Sequence, residues 1–376
     1  MPLQVAWRVL NHQRGRTALA VGGVFVAIVL IFVELGFFIA VPQGGMLMYD
    51  NMRFDLLLCS TRYVFMGQSW QFPQAALATA ESVPGVAAAT PVYLGDAKWQ
   101  DPKGGPRVDV TAVGFDPRSR AFAVPGITRQ TAVLQRADTL LVDSSTRSIF
   151  GPLTTGRTVD LNGRKMTIGG EYTLGTGFLG LGVVLVDPTN FFRILSHRSP
   201  EEVNLGLITL RAGADPDRVA AALRRALPAD MRIFTRAGLT RHEVAYWTTK
   251  TATGVIFGSG LVIAFIVGLM ILYQTLATQI ARQLPQFAML KAIGYRNRTL
   301  GAIVLAEALL IMLVAFLPAL GAAFGLYSLI RGETLLPVTL NGAELGGVFA
   351  AATAMAVGSA LFSLARLRRA DPADIF

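Results

Sequence analysis

The sequence is short of charge and almost without cysteine. Only 15% of its 376 residues are charged, against about 25% in ordinary globular chains. The single cysteine, Cys59, excludes an intramolecular disulfide. The three histidines, His12, His197 and His242, stand far apart, so no metal-ligand spacing forms. His242-Glu243 lacks the second histidine of an H-E-x-x-H zinc motif, and no serine occupies a G-x-S-x-G elbow. The dipeptide Gly-Lys never occurs, so the chain has no P-loop and is not its own P-loop ATPase. The stretch GTGFLG (175–180) matches G-x-G-x-x-G. However, the strand-like VVLVD follows it, and Asp187 arrives too soon for the acid a dinucleotide site needs about 20 residues on. It reads as a glycine-rich loop between strands. No cofactor site is expected.

Apolar residues are abundant, at 52%, and mean hydropathy is +0.49. Both point to a membrane protein. A bilayer core needs about 20 predominantly apolar helical residues, and four segments supply them: 18–41, 251–277, 299–330 and 345–365. The second apolar run continues to 281, which leaves length for a stalk outside the bilayer. The first run is too long, and lacks the small-residue cleavage site, for a removable leader.

Basic residues orient the spans. Arg8, Arg14 and Arg16 lie in an N-terminal arm (1–17). Arg282, Lys291, Arg296 and Arg298 lie in the gap 278–298, and Arg366, Arg368 and Arg369 in the tail (366–376). The other short loop, 331–344, has only Arg331. Both termini and the gap are therefore predicted to be cytoplasmic, and 42–250 extracytoplasmic. That outer segment carries 23 basic and 18 acidic residues, so the sequence pI of about 10.2 is mostly a topology signal. No aromatic-basic stripe suggests nucleic acid.

Residues 42–250 read as α+β. FPQAALATAESVPGV suggests a helix with Pro73 near N1. VAAATPVYLGDAKW and RVDVTAVGFD suggest strands. TVDLNGRKMTI suggests a hairpin turning at Asn162-Gly163. DPTNFFRIL suggests a capped helix start. VNLGLITL, DPDRVAAALRRALP and MRIFT suggest strand, helix and strand, with Asp215 as N-cap and Pro216 at N1. This last unit is expected to be a small split βαβ packed beside a second, β-rich lobe. The expected fold class is an α-helical membrane protein with four transmembrane helices and a large extracytoplasmic α+β domain.

Two acids fall within the spans. Glu34 is expected near the outer interface and hydrated. Glu307 lies nearer the cytoplasmic face, where an unpartnered carboxylate costs about 2.5–3.5 kcal/mol. A structural hydrogen bond or ion pair to a neighbouring span is the expectation, and a proton or substrate role the alternative.

The basic gap contains QLPQFAMLKAIGYRNRTL (283–300). Pro285 suits N1 of a short helix and Gly294 its C′ position. Phe287, Leu290 and Ile293 form one apolar stripe, with Lys291 off it. Such a helix fits either an anionic membrane surface or a groove on a soluble partner.

LPQFAMLKAIGYRNRTL, followed by the Glu of VLAEALL, resembles the cytoplasmic loop of FtsX/MacB-type (type VII) ABC permeases. The terminal RLRRADPADIF resembles their C-terminal signature. GGEYTLGTGFLGLGVVLVDPTNFF, HEVAYWTTKTATGVIFGSGLVIAFIVG and AWRVLNHQRGRTALAVGGVFVAIVLIFVELGFF are most similar to the DevC branch. Gln286 and Arg282-Gln283 stand where relatives often carry acids. The resemblance implies a multi-pass inner-membrane permease subunit that acts as a homodimer, with ATP bound by a separate MacB-like ATPase. Pro285, Phe287, Leu290, Lys291, Ile293, Gly294 and Tyr295 would form the ATPase-coupling helix. It also implies a periplasmic membrane-fusion adaptor, an outer-membrane channel and export of a lipid-like or other substrate. The alternative is a signalling permease that activates a periplasmic enzyme.

The orientation is testable. In a Cys59→Ser background, Asn162→Cys should react with a membrane-impermeant maleimide in spheroplasts. Labelling that requires lysis would overturn the topology.

Overall fold

The computed structural model describes residues 14–102, 104–175, 177, 179–292, 297–334 and 338–369. Its side-chain detail excludes 14, 16, 284–288, 290–292, 297, 332–334 and 366–369. The helices are α1 (Arg14–Asp50), α2 (Ala75–Glu81), α3 (Pro125–Thr128), α4 (Thr131–Leu134), α5 (Pro188–Ile194), α6 (Pro216–Ala226), α7 (Arg236–Thr249), α8 (Ala252–Ala292), α9 (Asn297–Thr334) and α10 (Gly342–Arg369). The strands are β1 (Leu56–Ser60), β2 (Phe72–Pro73), β3 (Val86–Gln100), β4 (Val108–Phe115), β5 (Thr139–Asp143), β6 (Thr158–Leu161), β7 (Arg164–Tyr172), β8 (Val183–Val186), β9 (Glu202–Val203), β10 (Leu205–Leu210) and β11 (Met231–Thr235). The chain divides into two units. One gathers the described residues up to Ala40, then Ala252–Thr334 and those from Val338 on; the other is Val41–Thr251.

Among the described residues, four helices are long and apolar enough to cross a membrane: Thr17–Asp50, Ala252–Gln283, Arg298–Arg331 and Gly342–Ala365. The first runs past the 18–41 read from hydropathy, as a helix that continues through Pro42 to Asp50. A proline there removes one helical hydrogen bond, and the division into units falls two residues before it. Val24, Ile28, Ile31, Ala264, Leu272, Val304, Ile311, Ala352 and Met355 are among the side chains of a common apolar core. These side chains come from the Leu, Ile, Val and Ala that recur along each segment.

The second unit is built on one nine-stranded sheet in the order β11-β1-β10-β3-β4-β8-β5-β7-β6. The 15-residue β3 joins its halves. The first part of β3 pairs with β10, from Val86↔Leu210 to Val92↔Leu205, and the second with β4, from Val92↔Phe115 to Trp99↔Val108. Its end pairs with β6 at Trp99↔Leu161 and Gln100↔Asp160. Strands β3, β4, β8, β5, β7 and β6 therefore close into a ring. On the other side of β3, β10 and β11 both run antiparallel to β1, which lies between them. With α6 as the crossover, this is the split βαβ. It and the ring share β3, so the two lobes expected from sequence are one continuous sheet.

Alternation along the strands supplies two cores. Leu56 and Leu58 enter one, with Leu77 and Ala80 of α2 and Val219 and Leu223 of α6. Leu57 and Cys59 enter the other, with Val113, Phe115 and Leu239. β1 is LLLCS, buried on both faces. It shows no polar alternation, which is why sequence patterning passes over it.

Local signals act as their chemistry dictates. Asn162 and Gly163 turn the β6–β7 hairpin at φ 52° and 83°, the left-handed pair that a two-residue type I′ turn requires. Asp187 caps α5 by accepting from the Asn190 N–H at 2.9 Å. Asp215 caps α6 by accepting from the Asp217 N–H at 2.9 Å, with Pro216 at N1. One expectation is corrected. Pro73 does not open α2; it lies in β2, where Phe72 pairs with Val203, and the helix starts at Ala75. Burial of the Phe72 ring holds this segment extended.

Removing the α6 cap should cost about 1 kcal/mol. Asp215→Ala is expected to lower the thermal midpoint of the full chain by a few degrees in detergent, while Asp215→Asn leaves it nearly unchanged.

Candidate functional site

The basic gap begins as a continuation of α8, which runs unbroken from Ala252 to Ala292. The separate short helix expected to start at Pro285 is instead the last part of this long one. Gln, Phe, Ala, Met, Leu, Lys and Ala after the proline are mostly strong helix formers, and they carry the helix across the one missing N–H. Side-chain detail does not extend to Pro285, Phe287, Leu290 and Lys291. Ile293, Gly294 and Tyr295 lie outside the described residues.

Just before this segment lies the buried Gln283, and its side chain interacts with Glu307 of α9. Glu307 is 1% exposed. Its Oε1 has no hydrogen-bond partner. An amide opposite a carboxylate supplies a donor without adding a second charge, and no ion pair reaches Glu307 among the described residues.

Glu34 is partly exposed. Its Oε2 is occluded and without a partner, and the carboxylate packs against Gly260 so closely that any Cβ there would collide with it. Hydropathy locates a residue along a helix axis but not around it, and Glu34 faces α8.

A third carboxylate escaped the sequence reading. Glu344, 2% exposed, stands in the first turn of α10. Its N–H is capped by Asn341 Oδ1 at 2.8 Å, and the Tyr327 hydroxyl hydrogen-bonds both its Oε1 and the Phe32 carbonyl. The N-x-x-E spacing of Asn341 and Glu344 is a capping-box signal that could have found it.

The outer unit holds a fourth, Glu243 on α7, fully buried. Its Oε1 hydrogen-bonds the Tyr63 hydroxyl, which lies 2.6 Å from the Tyr49 hydroxyl. Its Oε2 accepts from Trp247 Nε1 at 3.0 Å. Burial pushes the carboxyl up to about 7, although the Tyr63 and Trp247 hydrogen bonds oppose the shift. Burial also raises the Tyr63 hydroxyl. A cleft of about 730 Å3 opens nearby, lined by Trp70, Leu94, Asp96, Leu179, Arg198 and Asn204 among others. Arg198 donates to the Leu94 carbonyl at 2.7 Å and to Asn204 Oδ1 at 2.8 Å, and Asn204 donates to the Ser69 carbonyl at 2.7 Å. These groups bind the cleft's own loops together. No cluster of three or more potential metal ligands occurs among the described residues.

Residues 258–372 match the family described as FtsX-like permease C-terminal. Residues 17–226, more than half the chain, match the family described as MacB-like periplasmic core domain. The chain belongs to the FtsX/MacB-like permease family. An FtsX/MacB-like permease is the membrane subunit of a type VII ABC transporter, so a partner ATPase and a membrane setting come with the assignment. No curated protein matches the chain. Among solved structures, the chain is similar to the periplasmic region of MacB from Actinobacillus actinomycetemcomitans. That match has 11% identity and a TM-score of 0.37, over 50% of this chain and 92% of that one. The extracellular domain of the noncanonic ABC-type transporter YknZ from Gram-positive bacteria aligns at 11% identity and TM-score 0.36, over 48% and 99%. A domain of a putative permease protein from Porphyromonas gingivalis aligns at 16% and 0.32, over 47% and 85%.

For this permease, Glu307→Gln is expected to fold and to keep ATP-driven activity within a few-fold, because an amide still hydrogen-bonds with Gln283. Loss of activity at unchanged expression would assign Glu307 a proton-linked role.

Proposed function

We propose that this permease is the membrane subunit of an exporter of the DevC type. It works as a homodimer in the inner membrane, with both termini cytoplasmic. Two copies of a MacB-like ATPase dock on residues 285–295, and closure around ATP is passed through the spans to the outer domain. A periplasmic adaptor and an outer-membrane channel complete the path for a lipid-like or other substrate. The observation that carries this reading is the pairing, on one chain, of an outer-domain match over 17–226 with a permease match over 258–372 that takes in the basic gap.

Two further features support it. The apolar stretch of α8 is mostly exposed, whereas more than half of that of α9 is buried. It leaves Val255, Ile256, Val262, Ile263, Ile266 and Met270 exposed, an apolar face suited to lipid and a second copy. The continuous α8 also leads the backbone from the second span into the coupling segment without a break, so a push on 285–292 acts on one helix.

The coupling assignment is tested at the apolar stripe. Burying Phe287, Leu290 or Ile293 in an ATPase groove contributes about 1.5–3 kcal/mol each. Leu290→Asp removes that contribution and places a carboxylate in an apolar site. It should weaken ATPase capture at least tenfold, since about 1.4 kcal/mol is a factor of ten, while insertion and dimerisation persist. Lys291→Ala should do much less. In detergent free of anionic lipid, undiminished capture by Leu290→Asp would end the assignment. Dependence on Lys291, Arg296 and Arg298 in anionic bilayers alone would show that the segment rests on lipid.

A further inference from the structure

Glu243 has no role in the coupling scheme, yet it is the hub of a fully buried polar cluster in the outer unit. Tyr49 belongs to α1, the chain leaving the first span. Glu243 and Trp247 belong to α7, the chain approaching the second. Tyr63 comes from the loop after β1 and lies between them. The two helices approach so closely that a Cβ on Gly45 would collide with the Trp247 indole. The Phe65 ring stacks on Tyr246 and packs edge-on to Trp247, at 5.3 Å in each case.

Hydrogen counting shows what the proton on Glu243 does. With Glu243 protonated, the acid donates to Tyr63, Tyr63 donates to Tyr49, and Trp247 donates to the remaining oxygen, which leaves the Tyr49 hydroxyl hydrogen without an acceptor inside the cluster but no net charge in it. With Glu243 ionised, Tyr49 donates to Tyr63, and Tyr63 and Trp247 donate to the carboxylate, so the cluster holds a buried negative charge with two donors on it. No ion pair reaches that charge among the described residues. Arg232 lies beside Cys59, and Arg236 is held by Asp50 at 3.7 Å and by the Met52 carbonyl at 2.7 Å. A buried carboxylate with three donors or fewer and no counter-ion is costly in an apolar setting, and separating the helices to admit water removes that cost.

We propose that Tyr49, Tyr63, Glu243 and Trp247 form a proton-controlled clamp that ties the outer end of α1 to α7, closed while Glu243 holds its proton and released when the proton leaves. This goes beyond the export reading and does not depend on it. The sign follows from linkage. The closed carboxyl titrates at about 7, and one opened to water returns to the ordinary range of about 4.3. Opening therefore releases a proton between these values. The open-to-closed ratio rises about tenfold per pH unit across that window and levels off above 7. His242 also borders the cluster; its Nε2 lies 3.0 Å from the Val64 carbonyl and its ring lies against Tyr63 and Phe234. It must be separated from Glu243 by experiment.

The test is amide hydrogen exchange of 41–50 and 236–249 in the full chain in nanodiscs, corrected for intrinsic rates. Protection should fall about tenfold per unit from pH 5 to 7 and then level off. Glu243→Gln should give a flat profile, and His242→Gln the parental one. A flat parental profile, or a parental slope in Glu243→Gln, overturns the clamp; loss of the slope in His242→Gln transfers the titration to His242 and also overturns it. Should Glu243→Gln fail to fold, Tyr49→Phe decides. It removes only the far hydroxyl, and it should keep the slope while lowering protection of both segments several-fold. Unchanged protection there refutes the proposal.

Discussion

The outer domain depends on the backbone pairing of a single strand. β3 hydrogen-bonds to β10 with its first half, to β4 with its second and to β6 with its end. A strand has only two edges, so three partners require length, and β3 has 15 residues where most strands have five or six. It is long enough to twist out of the open sheet and into the closed ring. The ring then has no free edge of its own beyond β3, which removes most of the aggregation hazard an open sheet carries. On the far side, β1 takes the place between β10 and β11. That placement carries the following loop, with Tyr63, over to α7.

The carboxylates of the long helices show how differently one residue type is accommodated. Glu344 is served by a helix cap and a tyrosine, Glu307 by a neighbouring amide, and Glu34 by the absence of a side chain at Gly260. None has a lysine or arginine partner among the described residues. In a low-dielectric setting, neutral donors lower the cost of the acid without burying a second ion, whose own desolvation a salt bridge often fails to offset. Glu243 follows the same logic outside the spans, where water is near enough for an opened acid to be hydrated. That difference sets it apart from the other three.

Local chemistry was legible wherever one short segment contained the whole cause. Asp215-Pro216, Asp187-Pro188 and Asn162-Gly163 each dictate a cap or a turn through their own φ, side-chain oxygen or missing N–H, and each acts as read. Pro73 misled because its neighbour Phe72 is buried and pairs with Val203, about 130 residues away. β1 was invisible because a strand covered on both faces has no alternation to detect. Pro285 suggested a helix start, yet the seven residues after it favour helix strongly enough to carry α8 onward.

The sequence by itself determined the membrane character, the four long apolar helices, the α+β class of the outer segment and the family. Hydrophobic length, charge asymmetry and motif spacing are properties of contiguous residues and survive without tertiary contacts. Only the tertiary structure decided that two expected lobes share one strand and which acids are buried and against what. It alone drew Tyr49, Tyr63, Glu243 and Trp247 into one cluster. Those outcomes depend on which distant segments converge, and burial, the quantity that moves a carboxyl from its ordinary range up to about 7, exists only once they have.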